Sequence, residues 1–444
     1  MNRSRAKQIF RLALPLILQQ LCLQLQIWID RAMLGHRNPE FFSAIGNAGT
    51  PYHMILSTIT AICGGTAILV AQGMGAQDTD RVKKIAGASF WGNSILSLFA
   101  FVFFFFGAEG LFRIMGVQSP ILEHSIAYIR VLSFSLILLG PSATATAILQ
   151  GVGFTGIIMV AGIAGNLLNI LLDWLLIFGK WGFPALGIRG AALATVIANG
   201  ISAGITVFYI LKSPKMPFRA ALRRSGAKQF HSYRRVLQLG IPSGLEYALW
   251  NVGNLILVSF LNRVDMMAAG IYTLVFSIET VPLLIYMGLA NAGLTLVGQQ
   301  TGANDPRQAR RTGLLCLSFS LAVCLIVAVI FHTFPRQLLG LFTQDGKILE
   351  ISVPYLVFVS WILFPKAVNN VIGLCIRGMG DTRWMLYTQI FGTVFMISAG
   401  YLLILYAGLG LSGIFITLLA DETIRSIANL LHFLRAGRSQ APVR

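Results

Sequence analysis

The stretch VAQGMGAQD (70–78) returns later in the chain as VGQQTGAND (297–305) with few changes. The two copies are 227 positions apart, and the same offset places Lys84 on Arg311. The two copies stand at the ends of the second and the eighth predicted helices. The repetition predicts two halves that fold alike.

Further matches extend the repeat over most of the chain. Three pairs share the offset of 227: LALP ending at Pro15 with LGIP ending at Pro242, Tyr128 with Tyr355, and LQGVGFT (149–155) with IRGMGDT (376–382). A last pair, LGIRG (186–190) with LGLSG (409–413), needs an offset of 223. Agreement at one offset over so long a distance indicates an internal duplication.

The composition places this chain in a lipid bilayer. Of its 444 residues, 56% are hydrophobic and only 11% are charged, and the mean hydropathy is +0.74. The apolar runs are about twenty residues or longer, as helices that cross a membrane require, so we predict an all-α integral membrane protein. We expect twelve transmembrane helices: 10–34, 45–73, 85–107, 122–145, 154–178, 187–211, 236–262, 270–300, 312–334, 348–372, 384–407 and 409–434.

The positive charge predicts the orientation of these helices. The net charge is +18, but the basic residues alternate with the apolar runs and do not form one nucleic-acid-binding patch. Their excess on one side predicts cytoplasmic termini in the inner (plasma) membrane of the cell. We expect an N-terminal lobe (1–211, helices 1–6), a basic cytoplasmic linker (212–235) that orients the chain and could contact lipid headgroups, and a C-terminal lobe (236–444, helices 7–12).

Because each half has six helices, an even number, the chain returns to the side on which it began, and both halves start on the same side of the membrane. The repeat is then parallel, and a substrate is expected between the halves. No G-x-x-x-x-G-K-[ST] phosphate loop is present, and neither the six histidines nor the acidic residues have catalytic spacing. The five cysteines lack metal-ligand spacing and suit helix packing. We therefore predict neither an enzyme nor a cofactor.

Polar residues follow one face of the first predicted helix. Gln19, Gln26, Asp30 and Met33 are seven, four and three positions apart, which stacks them along the helix. Asp30 lies about 9 Å below the outer interface, at 1.5 Å per residue. A carboxylate inside a transmembrane segment costs roughly 2.5–3.5 kcal/mol on insertion scales and generally marks a functional site.

The fifth predicted helix carries a second polar face at the same depth. Asn166, Asn169 and Asp173 are three and four positions apart. Two carboxyl groups with amides beside them predict a site for a proton or a metal cation, although a purely structural hydrogen-bonded pair is the alternative. The repeat places Leu257 and Gly400 at the positions of the two aspartates, so this chemistry belongs to the first half alone.

The repeated motifs resemble those of the multidrug and toxic compound extrusion (MATE) family over nearly the whole chain. IDRAMLGH (29–36) and GNLLNILLDWLLIFG (165–179) are most similar to its DinF-like branch. The resemblance implies a twelve-helix antiporter, with two lobes around a V-shaped cleft, that exports drugs or metabolites against an inward flow of H⁺ or Na⁺. Trp250 and Lys366 stand where the NorM-like branch has acids, so we do not expect its C-terminal cation site here.

The resemblance and the polar faces together define the predicted site. We expect ion coupling at Asp30, Asp173, Asn169, Asn166 and Gln26, with Na⁺ held by Asp30, Asn169 and Asp173 if sodium is the coupling ion. Seven residues are predicted to line the substrate cleft: Gln19, Met33, Tyr128, Tyr247, Trp250, Met287 and Asn291. Glu246, Glu279 and Lys366 are expected to form a buried ion pair or a charge that faces substrate.

The predicted function is H⁺-coupled export of cationic or amphipathic small molecules by a monomer that contacts membrane lipids and no nucleic acid. A sodium-coupled exporter is one alternative. A lipid-linked oligosaccharide flippase of the same superfamily is the other, and it would need a more cationic cleft.

Overall fold

The computed structural model describes residues 3–37, 39–214, 216 and 227–439. Within these residues the chain is all-helical, with no β-strand. A π-helical turn, Tyr401–Tyr406, follows the α-helix Thr382–Gly400. The α-helices are α1 Arg3–Arg37, α2 Pro39–Gly75, α3 Thr79–Ile114, α4 Ile121–Leu132, α5 Phe134–Val152, α6 Thr155–Phe178, α7 Ile188–Lys212, α8 Ala227–Val264, α9 Met266–Gly302, α10 Pro306–Thr333, α11 Pro335–Gly340, α12 Gly346–Gly378, α13 Thr382–Gly400 and α14 Gly410–Ser439.

Eleven of the described helices are long and apolar enough to cross a membrane. The predicted fourth span, 122–145, is wrong in detail, because Ser133 separates α4 from α5 and the apolar span is Phe134–Val152. The predicted twelfth span is present as α14, but this helix is not among the eleven. Its composition is less apolar because it carries buried charged residues.

The chain forms two compact units whose limits differ from the predicted lobes. One unit is Leu18–Gly244, and the other combines residues 1–17 with Leu245–Arg444. Helices α1 and α8 therefore contribute to both units. Each changes unit two residues after a proline, Pro15 or Pro242, where the helix lacks a backbone N–H donor.

The predicted linker, 212–235, is only partly described. Residues 215 and 217–226 lie outside the described residues. Helix α8 begins at Ala227, so the last part of the predicted linker is helical.

The repeated motif builds the same turn in both halves. After α2 and after α9 the chain turns through Gln77 and Asn304, which have φ angles of 56° and 57°. Asp78 and Asp305 then cap α3 and α10, since each accepts a hydrogen bond from the backbone N–H three residues on, at 2.9 and 3.0 Å. Equal dihedral angles and equal caps show that the repeat is structural as well as sequential.

The second glycine-containing motif brings helices together at equivalent places. A Cβ atom on Gly151 would lie 2.8 Å from the carbonyl oxygen of Ala67, and one on Gly378 would lie 2.6 Å from that of Leu294. The offset of 227 relates both members of these contacts. Only glycine permits two backbones to approach this closely.

Asp381 ties the turn before α13 to α14. Its Oδ1 accepts from the backbone N–H of Trp384 at 3.2 Å, and its Oδ2 lies 2.8 Å from Nε2 of His432. The rings of Trp384 and His432 stack with their centres 4.0 Å apart. The hydrogen bond with His432 holds the pKa of Asp381 below its ordinary value.

We expect Asp381→Ala to lower the free energy of unfolding by about 1 kcal/mol, because the helix cap and the bond to His432 are both lost. A carboxyl group whose folded-state pKa is lowered stabilises the fold above its unfolded-state pKa, and this contribution is lost as the pH falls through the folded-state value. Thermal unfolding in detergent should therefore show a difference between wild type and variant at pH 7 that shrinks below about pH 4. A difference that stays constant with pH would contradict a role for the charge.

Candidate ion-coupling site

Helices α1 and α6 bring the two aspartates of the first unit together. The Asp30 and Asp173 carboxyl groups lie close enough to interact directly. Two carboxylates this close repel each other when both are charged, so the arrangement favours a proton on one of them. Gln26 Nε2, one turn before Asp30, donates to Asp30 Oδ2 at 2.7 Å. The two polar faces predicted separately thus form one cluster.

The amide of Asn169 lies beside both carboxyl groups. Its oxygen accepts from Gln26, and its nitrogen donates to Oγ1 of Thr195 on α7 at 3.4 Å. With the amide turned over, its nitrogen lies 3.2 Å from Asp30 Oδ1 and 3.2 Å from Asp173 Oδ2 and donates to both. An amide can therefore accept from a protonated pair or donate to a charged one.

Asn166 extends the cluster toward the start of α1. With its amide oriented for hydrogen bonding, its nitrogen donates to Gln26 Oε1 at 3.3 Å and its oxygen accepts from the backbone N–H of Leu23 at 3.0 Å. All five predicted ion-coupling residues and the backbone of α1 therefore belong to one network. Thr195 is the member that the sequence did not indicate, since nothing in its own helix distinguishes it.

The two carboxyl groups differ in their exposure. Asp173 is 1% exposed, and its Oδ1 is buried without a hydrogen-bond partner. Asp30 is only half-buried. A proton can therefore reach Asp30 more directly than Asp173.

Small residues allow α1 to approach α6. The side chain of Gln19 lies over Gly162, in the space that a Cβ atom would fill. Nearer the aspartates, Met33 and Tyr128 pack against the same small apolar group, Leu34, Ile177 and Ala191. Three of the predicted cleft residues, Gln19, Met33 and Tyr128, therefore lie in this unit, and their contact with substrate stays a prediction.

The second unit repeats the contacts of this site without its chemistry. Leu257 and Gly400, the counterparts of the aspartates, touch each other. Gly253 and Met396, the counterparts of Gln26 and Asn169, are also neighbours: a Cβ atom on Gly253 would lie 2.9 Å from the Met396 methyl group. Leu257 and Met396 belong to the apolar core of that unit. The same helix pair thus encloses a polar cluster in one half and apolar side chains in the other.

A family model described as MatE matches the chain twice, at residues 15–175 and at residues 242–402. The starts and the ends of the two segments are each 227 positions apart, which is the offset of the repeat. Together the segments cover more than half of the chain. The protein belongs to the MatE family.

Curated relatives and solved structures agree with this family. The chain is 28% identical over 438 residues to a probable multidrug resistance protein NorM of Thermotoga maritima, covering 96% of this chain and 92% of the relative. It is 26% identical over 402 residues to the uncharacterized transporter YisQ of Bacillus subtilis, covering 90% and 87%. The assignment to the DinF-like branch stays a prediction.

Among solved structures, a MOP superfamily transporter from Pyrococcus furiosus, described as having a binding pocket of reversed polarity, matches with a TM-score of 0.89 at 21% identity. That match covers 98% of this chain and 96% of the other. An outward-facing multidrug resistance MATE transporter matches with a TM-score of 0.87 at 22% identity and the same coverage. The fold is thus the twelve-helix, two-lobe fold of MATE transporters, and the protein is a multi-pass membrane transporter, not an enzyme.

Two buried ion pairs occupy the second unit of this MATE protein. Lys366 Nζ lies 2.6 Å from Glu279 Oε1, and the Lys366 ammonium is 5.5 Å from the centre of the Phe276 ring. Glu246 Oε1 lies 2.7 Å from Arg377, with both side chains about one-tenth exposed. A buried pair was expected among Glu246, Glu279 and Lys366, and the pair that forms is Lys366 with Glu279. Glu246 pairs instead with Arg377, which the sequence did not indicate.

Helix α14 carries a third charged group that the sequence analysis missed. Arg425 bonds to Asp421 at 2.7 Å and lies 3.4 Å from Glu422. It also donates to Gln389, while Glu422 accepts from Asn369 at 2.8 Å. Asp421 and Arg425 are four positions apart, a spacing that places them on one helical face and could have revealed the pair.

The other predicted cleft residues, Tyr247, Trp250, Met287 and Asn291, lie in the second unit. The Tyr247 ring packs against the Arg377 guanidinium at 5.5 Å, and Met287 packs against the apolar core. Trp250 is half-buried. Their roles as substrate contacts stay predictions.

We expect Glu246→Gln to lower the free energy of unfolding by about 3 kcal/mol, because it leaves Arg377 buried without its partner. The exposed pair Glu109–Arg113, 2.6 Å apart, supplies a control: Glu109→Gln should change stability by at most about 0.5 kcal/mol. Denaturation in detergent measures both. Replacing both partners, as in Glu246→Leu with Arg377→Met, should recover much of the loss. Equal effects of Glu246→Gln and Glu109→Gln would contradict the buried pair.

Proposed function

We propose that this MATE-family protein exports cationic or amphipathic small molecules by alternating access, in exchange for protons that bind at Asp30. The relatives described as multidrug resistance proteins support export as the direction and drug-like molecules as the substrate class. The positive-inside distribution of charge supports cytoplasmic termini in the cell membrane. The observation that carries the proposal is the close approach of the Asp30 and Asp173 carboxyl groups, which lie within 3.2 Å of the same Asn169 amide nitrogen when that amide is turned over.

The pair favours a proton as the coupling ion. Two carboxyl groups in direct contact share a proton more readily than they tolerate two negative charges. Sodium would instead require several oxygen ligands around the ion, and Asp30, Asp173, Asn169 and Thr195 could supply them only if the two carboxyl groups moved apart to admit it. Sodium coupling is therefore the second outcome that the experiments must separate.

Exposure assigns different roles to the two acids. Asp30, half-buried on α1, exchanges the proton with water, whereas Asp173, buried on α6, is its fixed partner. Gaining a proton removes a charge from the cluster and turns the Asn169 amide from donor to acceptor. The resulting change in contacts between α1 and α6 favours one conformation of the transporter. A tenfold difference in proton affinity between two conformations corresponds to about 1.4 kcal/mol, enough to shift their populations.

The buried cations of the second unit favour an exporter over an oligosaccharide flippase. Lys366 and Arg377 each have a carboxylate partner within 2.7 Å. They therefore offer no unpaired positive charge to hold a pyrophosphate. A flippase would need such a charge near its lipid-linked substrate.

We expect Asp30→Asn to reduce efflux to the rate of liposomes without protein while the variant still folds, because asparagine keeps the hydrogen bonds of Asp30 but cannot exchange a proton. Efflux of a cationic dye from proteoliposomes measures this. Asp265→Asn is the matched control, since it removes an exposed carboxylate that caps α9 and asparagine caps helices equally well. Wild-type efflux by Asp30→Asn would remove this residue from the mechanism.

In sodium-free buffer, an imposed proton gradient directed against the substrate flux should accelerate dye transport in proteoliposomes. The pair at Asp30 provides the physical reason, since it binds and releases a proton on each cycle. A matched gradient of sodium without a proton gradient should have little effect. Strict dependence on sodium, with no response to the proton gradient, would favour the sodium alternative and overturn proton coupling.

A further inference from the structure

A basic cavity lies at the start of α3 and α8, within the unit Leu18–Gly244. Its volume is about 340 Å³. Residues from the first turns of both helices form its walls, with one apolar side chain among them. The lining residues are Asp78, Asp80, Arg81, Lys84, Ile85, His231, Ser232 and Arg235. This end of the molecule is remote in sequence from the proposed coupling site.

The two acids of the cavity already have partners. Asp78 accepts from the backbone N–H of Arg81 at 2.9 Å and caps α3. Asp80 pairs with Lys83 at 2.9 Å on the surface. The lining sets three cations, Arg81, Lys84 and Arg235, against these two carboxylates, so one positive charge remains in excess when His231 is neutral.

The cations of the cavity include an unsatisfied donor. Arg81 Nε is buried and has no hydrogen-bond partner, a condition that costs free energy unless a ligand or water meets it. Arg235 and Lys84 are exposed and reach the same cavity from α8 and α3. Guanidinium groups bind phosphate through two parallel hydrogen bonds, a geometry that lysine cannot supply.

We propose that this cavity binds the phosphate group of an anionic ligand, which an acidic phospholipid headgroup would supply at the membrane surface. Both helices that form the cavity cross the membrane, so their ends lie where headgroups are found. The cavity brings Arg81, Lys84 and Arg235 together at these ends. Clusters of this kind next to membrane helices attract anionic lipid.

The internal repeat singles out the two arginines. At the offset of 227, Arg81 corresponds to Gln308 and Arg235 to Gln8. Neither arginine therefore has a basic counterpart in the other copy of the repeat, whereas Lys84 has one in Arg311. The chain itself thus shows that glutamine is compatible with both helix starts, which makes Arg81→Gln and Arg235→Gln suitable test variants.

The test measures binding to the purified full-length protein in detergent. Phosphatidylglycerol and phosphatidylcholine with the same acyl chains are titrated and bound lipid is counted by native mass spectrometry; inorganic phosphate and pyrophosphate form a separate arm. Wild type should bind phosphatidylglycerol, and the double variant Arg81→Gln/Arg235→Gln should bind it roughly tenfold more weakly, since charge-assisted hydrogen bonds are lost. Arg311→Gln, which removes one cation from the other half, should stay within about twofold of wild type.

The two arms identify the source of the phosphate. Loss of phosphatidylglycerol binding in the double variant, without competition by inorganic phosphate or pyrophosphate, assigns the site to lipid. Competition by the soluble anions assigns it to a phosphate-bearing solute. Equal binding by wild type and the double variant, or an equal loss in Arg311→Gln, overturns the proposal. If the double variant does not fold, Arg235→Gln alone decides, because that side chain is exposed.

Discussion

Inside the membrane, an amide needs a hydrogen-bond partner, and a charged side chain must either have a partner or become neutral. This constraint determines which polar side chains lie together in the interior of each unit. Hydrocarbon offers neither hydrogen bonds nor counter-ions, so each buried polar side chain depends on its neighbours. In the first unit the partners are two carboxyl groups and three amides on α1 and α6. In the second unit they are ion pairs: Lys366 with Glu279, Glu246 with Arg377, and Arg425 with Asp421.

The carboxyl-and-amide cluster of the first unit and the ion pairs of the second unit have different consequences. An ion pair is satisfied in one state, and separating its members leaves a buried charge, so it favours a fixed structure. A carboxyl pair with an amide beside it has two satisfied states, one with a shared proton and one with donors from the amides. A cluster with two states can be driven from one to the other by an ion, which is what coupling requires. The asymmetry between the units therefore separates a unit suited to switching from one suited to stability.

The duplication explains how such asymmetry arises within one fold. The turns at Gln77 and Asn304 and the close contacts at Gly151 and Gly378 are the same in both halves, because they set the paths of the helices. Side chains inside those helices are free to differ as long as each set fills its space. Leu257 and Gly400 occupy in the other half the positions of Asp30 and Asp173, and they too are in contact across their helices.

The sequence by itself determined the membrane location, the duplication and the two polar faces of α1 and α6. These follow from hydropathy, from one constant offset and from helical periodicity, all of which act locally along the chain. Four of the five cysteines are buried, as expected of residues that pack between helices. The two segments that match the family model end 227 positions apart, which is the offset read from the sequence.

Only the tertiary structure decided which residues meet across helices. Thr195 joins the Asn169 amide, and Arg377 becomes the partner of Glu246, because helix packing places distant residues side by side. Packing also assigns the first 17 residues to the unit of the C-terminal half and 236–244 to that of the N-terminal half. Periodicity identifies the polar face of a helix, but the neighbour of that face depends on contacts between residues far apart in the chain.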